Sequence, residues 1–172
     1  MTISVEKLKL HRLKMTLNDP FTTSFGTFQE KEFFITELID KNGNRGFGES
    51  VAFTSPWYSE ETVQTNLHMM EDFLIPLLKN NEVNHPADVF DLFQPIRRNN
   101  MAKAALEGAV WDLYAKQKEI PLAEALGGKR KAIDVGISLG IEPSVHDLLK
   151  KLSNMFKKDI NELKLRLNQV MT

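Results

Sequence analysis

Phe33-Phe34-Ile35-Thr36-Glu37-Leu38-Ile39-Asp40-Lys41-Asn42-Gly43-Asn44-Arg45-Gly46-Phe47-Gly48-Glu49-Ser50-Val51 is the stretch on which the reading of this chain turns. The β-branched and aromatic run Phe33 to Thr36, continuing to Ile39, favours extended backbone. Asp40 to Asn44 is a turn cluster, because Asn and Gly accept positive φ at little steric cost, and Arg45 to Val51 then reads as a returning strand. Upstream, Val5, Leu8, Leu10, Leu13, Met15 and Leu17 alternate with polar residues over 3–17, which predicts another strand of the same antiparallel sheet. The segment between them, Asn18-Asp19-Pro20-Phe21-Thr22-Thr23-Ser24-Phe25-Gly26-Thr27, is rich in hydroxyls and aromatics and reads as a loop that covers something.

Downstream the period changes to that of helices. Ser59-Glu60-Glu61-Thr62 reads as a helix start, with a capping side chain and two acids in a first turn where the dipole favours them. Val63, Leu67, Met70, Phe73 and Leu74 then recur at helical spacing up to Pro76, with Met69-Met70 on the core face. A short helix is expected from Pro86 to Phe93. A stronger one, capped by Asn99 or Asn100, presents Ala105, Leu106, Ala109, Val110, Leu113 and Tyr114 as a broad apolar face. Pro121 opens a last short helix that Gly127-Gly128 closes. Ile133-Asp134-Val135-Gly136-Ile137-Ser138-Leu139-Gly140 is a buried-strand run, and Pro143 to Phe156 returns to helical spacing through Val145, Leu148, Leu149 and Leu152. A strand followed by a helix is one β/α unit.

The chain has 172 residues, 42% of them hydrophobic, so it can bury a real core and is not of the disordered class. Its 22 basic and 23 acidic residues nearly cancel, and no Lys/Arg cluster is dense enough to track a phosphate backbone, which argues against a nucleic-acid partner. Cysteine is absent, which removes disulfide scaffolds and thiolate zinc sites. The N-terminus carries charges every few residues and no apolar run is long enough to span a bilayer, so no membrane partner and a cytoplasmic location are expected. His11, His68, His85 and His146 are too far apart in the pattern to suggest a metal site. Glu49 and Asp112 read as hydrogen-bonding and capping groups, and Lys150, Lys151, Lys157 and Lys158 as a solvated helix face.

Taken in order, Pro20-Phe21 with Thr23-Ser24-Phe25-Gly26-Thr27, Gly46-Phe47-Gly48-Glu49, Ser55-Pro56-Trp57-Tyr58-Ser59-Glu60-Glu61-Thr62, Met101 to Glu107 with Val110-Trp111-Asp112-Leu113, Pro121 to Gly128, and Gly136 to Gly140 carry a resemblance. They resemble the N-terminal capping domain and first barrel strand of the muconate-lactonizing branch of the enolase superfamily, and most closely its o-succinylbenzoate synthases and N-acylamino acid racemases. The resemblance implies an α+β fold: a capping domain with linking helices over 1–130, then the first β/α unit of an incomplete modified TIM barrel over 131–158. It also implies that Phe21, Phe53 and Ser138 line the substrate pocket, the rings giving apolar contact and the hydroxyl a polar one. The family reaction is abstraction of a proton α to a carboxylate by a lysine, with Mg²⁺ stabilising the enediolate. The metal ligands belong to later barrel strands, so no metal ligand and no catalytic residue is expected within this chain. A small carboxylate is the implied substrate.

The family places a Lys-x-Lys pair within a segment such as GYKRIKIKIKPGYD, where this chain reads Asp159 to Thr172. Lys164-Leu165-Arg166 would be a degraded version, and Arg is a poor base because it stays protonated. Lys158 to Thr172 can be written in A/T-rich synonymous codons that, read one nucleotide earlier, translate as GYKRIKIKIKPGYD. Residues 159–172 are therefore expected to be a frameshifted tail, produced by a slip in the codons of Lys157-Lys158. Such a tail would be frayed or opportunistically packed, Lys164 and Arg166 would take no catalytic role, and the chain alone would be an inactive fragment that self-associates through an exposed barrel edge. The competing readings are a fragment of an N-acylamino acid racemase or dipeptide epimerase, and a non-catalytic α+β module that binds a protein. Sequencing the gene from codon 150 through several hundred bases past the stop is expected to reveal the GYKRIKIKIKPGYD frame followed by codons for the metal-ligand strands; codons incompatible with that frame would sink the slip.

Overall fold

The structure, a computed structural model, describes residues 3–133, 136–139, 141–156 and 162–165. The chain divides into two compact units. The first comprises residues 1–15 and 32–129, and the second comprises 16–31 and 130–172.

The sheet has the order β1 (Lys7–Thr23), β2 (Gly26–Ile39), β3 (Arg45–Ser50). β2 and β3 are antiparallel with Phe34 opposite Ser50 and Ile39 opposite Arg45. Gly43 turns the chain between them at φ +84°, while the Asp40 carboxylate accepts the amides of Asn42 (2.8 Å) and Asn44 (2.9 Å). The Asn18–Thr27 stretch is not a loop. β1 runs to Thr23 and β2 resumes at Gly26, leaving only Ser24-Phe25 as the turn. Cross-strand bonds explain the difference: Gln29 Nε2 reaches the Leu17 carbonyl (2.7 Å) and the Thr22 and Thr27 hydroxyls meet at 3.0 Å.

Helix α4 (Asn100–Gln117) lies against β3 in the first unit, and its buried face is Ala102, Ala105, Leu106, Ala109, Val110 and Leu113. The contact is close enough to forbid side chains on the strand. A Cβ built on Gly46 would stand 2.2 Å from the Ala109 carbonyl oxygen, and one on Gly48 2.0 Å from that of Ala105. Thr36 Oγ1 fixes the register by donating to the same Ala105 carbonyl at 2.7 Å. Around this contact Phe34, Leu38, Val63, Met70, Leu74, Val89 and Phe93 complete one apolar cluster.

The helix after Thr62 continues through Pro76 instead of ending there. α1 (Val63–Met69) passes into a π-helical turn, Met70–Leu74, and then into α2 (Ile75–Asn80). Proline has no N–H to give and crowds the preceding turn, and a widened turn just before it accommodates both. The change of pitch turns Phe73 outward, 45% exposed, although helical spacing places it on the core face. α3 (Asp88–Phe93) and α5 (Leu122–Ala125) are short, and Gly127 at φ +81° follows α5.

In the second unit β4 (Gly136–Leu139), α6 (Val145–Phe156) and β5 (Glu162–Leu165) form a β-α-β unit. β4 and β5 are parallel, with Ser138 opposite Lys164. Glu162–Leu165 of the tail is that paired strand; residues 157–161 and 166–172, including Lys157, Lys158 and Arg166, lie outside the described residues. The Ser144 hydroxyl caps α6 by accepting the Asp147 amide (3.1 Å).

Because the atoms facing Gly48 are helix backbone, nothing there can yield cheaply. Gly48→Ala is expected to lower unfolding stability by about 2 kcal/mol or more, read as a fall in the urea midpoint, whereas Gly108→Ala, where a Cβ meets open space, should not lower it.

Candidate functional site

In parallel β/α architecture chemistry gathers at the C-terminal ends of the strands, so the exit of β4 is where a site is sought. Ser138 is the residue before the last of β4; its backbone pairs with β5, and its side chain lies outside the described residues. The amide of Ile141, just beyond that strand, donates to the Thr22 carbonyl at 3.3 Å, which draws the end of the β1–β2 hairpin to the exit of β4. Phe21, half-buried on β1, is the residue before that contact. Thr23 Oγ1 closes the turn by accepting the Phe25 amide (3.2 Å) and donating to the Gly26 carbonyl (3.2 Å).

Lys151 is not simply part of a solvated face. It is half-buried on α6, its ammonium bonds to Glu142 at 2.8 Å, and that hydrogen bond, with further attraction from Asp19, raises its pKa against the opposing effect of burial. Helical spacing alone placed it among lysines facing water; the carboxylate before α6 is what holds it.

Phe53 belongs to the first unit. It sits in the segment between β3 and α1, where its carbonyl accepts the Val63 amide at 2.8 Å and its ring meets Tyr58 edge-to-face with centroids 6.0 Å apart. Trp57 and Tyr58, at the crest of this segment, are 66% and 68% exposed.

What holds the segment down is Glu61, and its role differs from the one its sequence position suggests. Thr62 is the N-cap of α1, accepting the Thr65 amide, so the acids precede the helix. Glu61 is buried and turns to another helix. Its carboxylate accepts the amides of Met101 (3.1 and 3.0 Å) and Ala102 (3.2 Å), the first turn of α4. Asn99 does occupy the N-cap position of α4, but it holds a left-handed conformation, φ 53°, and makes no side-chain capping bond. A helix whose own N-cap is silent leaves amide donors open, and a carboxylate 40 residues away supplies the acceptor.

Three further acids are engaged in folding contacts. Asp112 accepts the Phe47 amide at 2.7 Å on β3 and the Lys116 ammonium at 2.6 Å. Glu37, buried in β2, meets His11 (2.8 Å), Arg45 (3.1 Å) and Lys9 (3.3 Å); the His11 hydrogen bond, reinforced by the two cations, holds its carboxyl below the ordinary carboxylate range. Burial pushes the Asp40 carboxyl up, but hydrogen bonds from Asn44, Gln117 and Asn42 outweigh it and leave the pKa lowered. Among the described residues no three His, Asp or Glu side chains converge as metal ligands, so these residues do not fit a Mg²⁺ ion and no chemical step is routed through one.

Residues 6–127 match the mandelate racemase / muconate lactonizing enzyme N-terminal domain. The chain belongs to that family. The three-stranded antiparallel sheet and its helices are the capping domain of the enolase superfamily. It is 54% identical over 167 residues to the o-succinylbenzoate synthase of Geobacillus kaustophilus, a match covering 97% of this chain and 44% of that protein. It is 36% identical over 163 residues to an N-succinylamino acid racemase of Thermus thermophilus, covering 95% of this chain and 44% of that one. A crystal structure of an enolase-superfamily member from Listeria innocua superimposes with a TM-score of 0.90 at 36% identity, covering 96% of this chain and 44% of that chain. The chain thus spans less than half the length of the relatives it matches.

The network around Glu61 yields a direct test in the first unit. Glu61→Ala removes a buried acceptor from three hydrogen bonds, and is expected to cost about 1–3 kcal/mol in denaturant unfolding and to speed amide exchange at Met101 and Ala102. Unchanged exchange there would remove Glu61 as the anchor.

Proposed function

We propose that this chain is the capping domain and leading barrel strands of an o-succinylbenzoate synthase, the enzyme that dehydrates a cyclohexadiene carboxylate to o-succinylbenzoate in menaquinone biosynthesis. The observation that carries the reading is the 54% identity to the Geobacillus kaustophilus synthase over 97% of the chain. In the whole enzyme a lysine removes the proton α to the carboxylate and the β-hydroxyl departs as water, which balances the elimination; Mg²⁺ is the metal of that enzyme, with ligands outside the residues described here. The part played by this chain is enclosure. Phe21, Phe53 and Ser138 are proposed, each from the family resemblance, to meet the substrate, the rings by apolar contact and the hydroxyl by a polar one.

The chain on its own is proposed to be inactive, and Lys164 and Arg166 to have no catalytic role. Val145 and Leu149, 73% and 58% exposed on α6, support a barrel unit that needs further covering, and self-association through that unit belongs to the same proposal. A cytoplasmic location is proposed with it; no described helix is long and apolar enough to cross a membrane. The alternative, N-acylamino acid racemization, is favoured by the similarity to the Thermus thermophilus racemase and shares the same base chemistry.

Purified chain supplied with Mg²⁺ is expected to give no dehydration. With the reading frame restored by one base, dehydration should appear and exceed racemization of an N-succinylamino acid, and Phe53→Ala should raise KM about tenfold with a smaller effect on kcat. Racemization alone from the restored protein would move the assignment to the alternative.

A further inference from the structure

A cavity of about 470 Å³ lies in the first unit between α3 and the N-terminal half of α4, and Phe53 is not among its lining residues. Its size falls within the range of small-molecule sites, which is about 300–1,000 Å³. The floor is apolar: Val89 and Phe93 are buried beneath it, Ala104 faces it from α4, and Phe90 stands beside it 75% exposed. Phe90 therefore offers most of its ring surface at the edge of the cavity.

The rim has the opposite character. Arg97, Arg98 and Lys103 line the cavity against a single acid, Glu107. That acid is already engaged, accepting the Trp111 indole N–H at 2.9 Å. Lys103 donates to the Ile96 carbonyl, which fixes its ammonium at the cavity and leaves further N–H donors to give. Arg98 reaches Glu60 only at 3.4 Å, between side chains 79% and 59% exposed, a contact weak enough to exchange for a better acceptor. Arg97 has no ion-pair partner among the described residues.

The rim is also held in shape. Arg98 and Asn99 are consecutive left-handed residues, φ 54° and 53°, a conformation that non-glycine residues adopt rarely. Asn99 Nδ2 ties back to the Arg97 carbonyl at 2.9 Å, and the Glu61 carboxylate grips the amides of Met101 and Ala102 just beyond. The guanidinium groups therefore stand on a backbone fixed before any ligand arrives, which lowers the entropy lost on binding.

We propose that this cavity binds a small aromatic carboxylate, its ring packed against Phe90 and Ala104 and its carboxylate taken by the Arg97 and Arg98 guanidinium forks, whose planar donors match that anion. An aliphatic ligand would leave Phe90 without a stacking partner, and an uncharged one would leave the rim's positive excess unmet. The site is independent of the reaction assigned to the whole enzyme.

The probe is 2-naphthoate, titrated into the full chain by calorimetry with 2-naphthamide as the uncharged control. Binding of the carboxylate at least about tenfold tighter than the amide is expected. The Arg97→Ala/Arg98→Ala double variant should erase that preference, and Ala104→Trp, which fills the cavity from an exposed helix position, should abolish binding of both. Circular dichroism and the urea midpoint establish that each variant folds; if the double variant does not, Ala104→Trp and the amide comparison stand alone. Equal affinity for carboxylate and amide, binding that survives Ala104→Trp, or binding only of an acidic peptide bearing a phenylalanine would each overturn the proposal.

Discussion

The first unit depends on one approach distance. β3 and α4 come so close at Gly46 and Gly48 that a methyl group on either would stand within 2.2 Å of a helix carbonyl oxygen. Such proximity requires small residues on both sides, and the helix supplies Ala102, Ala105 and Ala109. Small residues bury little apolar area each, so larger neighbours must provide the core; Leu106, Val110 and Leu113 on the same helix and Phe34 and Leu38 on the sheet do so. The Thr36 hydroxyl turns the same closeness into a register constraint by bonding to the Ala105 carbonyl, a bond possible only when strand and helix nearly touch.

Around this contact the acidic residues serve the backbone. Asp40 organises the β2–β3 turn and accepts Gln117 at the far end of α4 (2.7 Å), Asp112 takes the Phe47 amide on the strand, and Glu61 receives the first amides of α4. The helix is thus tied near its start, along its side and at its end by carboxylates engaged with peptide groups or amide side chains. These residues look like candidate acids and bases when read one at a time, yet their lone pairs are spent on folding. The consequence is that the first unit is a scaffold whose loops are set in advance by carboxylates engaged in folding contacts.

Much of this was legible in the sequence because period and turn chemistry are local. The β2–β3 hairpin follows from Phe33 to Val51, α4 from its apolar spacing, and the β4–α6 unit from the switch in period after Gly128. What the sequence hid was set by partners far along the chain. Glu61 beside a threonine cap reads as part of α1, and only the fold reveals the unfilled amides of Met101 and Ala102 waiting for it. Asn18 to Thr27 reads as a loop from its polarity, whereas pairing across the hairpin extends both strands. Lys151 reads as one of a row of lysines until Glu142 is folded against it. Of the residues proposed to meet the substrate, Phe21 and Ser138 share the second unit with the hairpin end drawn to the exit of β4; no periodicity marks Phe53, whose segment is irregular and whose proposed role comes from the family resemblance.

The π-helical turn at Met70–Leu74 bears on how this domain can vary among relatives. A turn of that kind is what a helix makes when it absorbs one residue more than its pitch allows, so the chain before and after it keeps separate phase on the core. Met70 and Leu74, both fully buried, mark the two phases. Length differences of a single residue between homologous caps can therefore be taken up at this turn while the glycine-lined strand, which precedes it, and the helix α4, which follows it, remain untouched. Aligning such chains without a gap there would put the helical positions on one side of the turn about 100° out of phase around the axis.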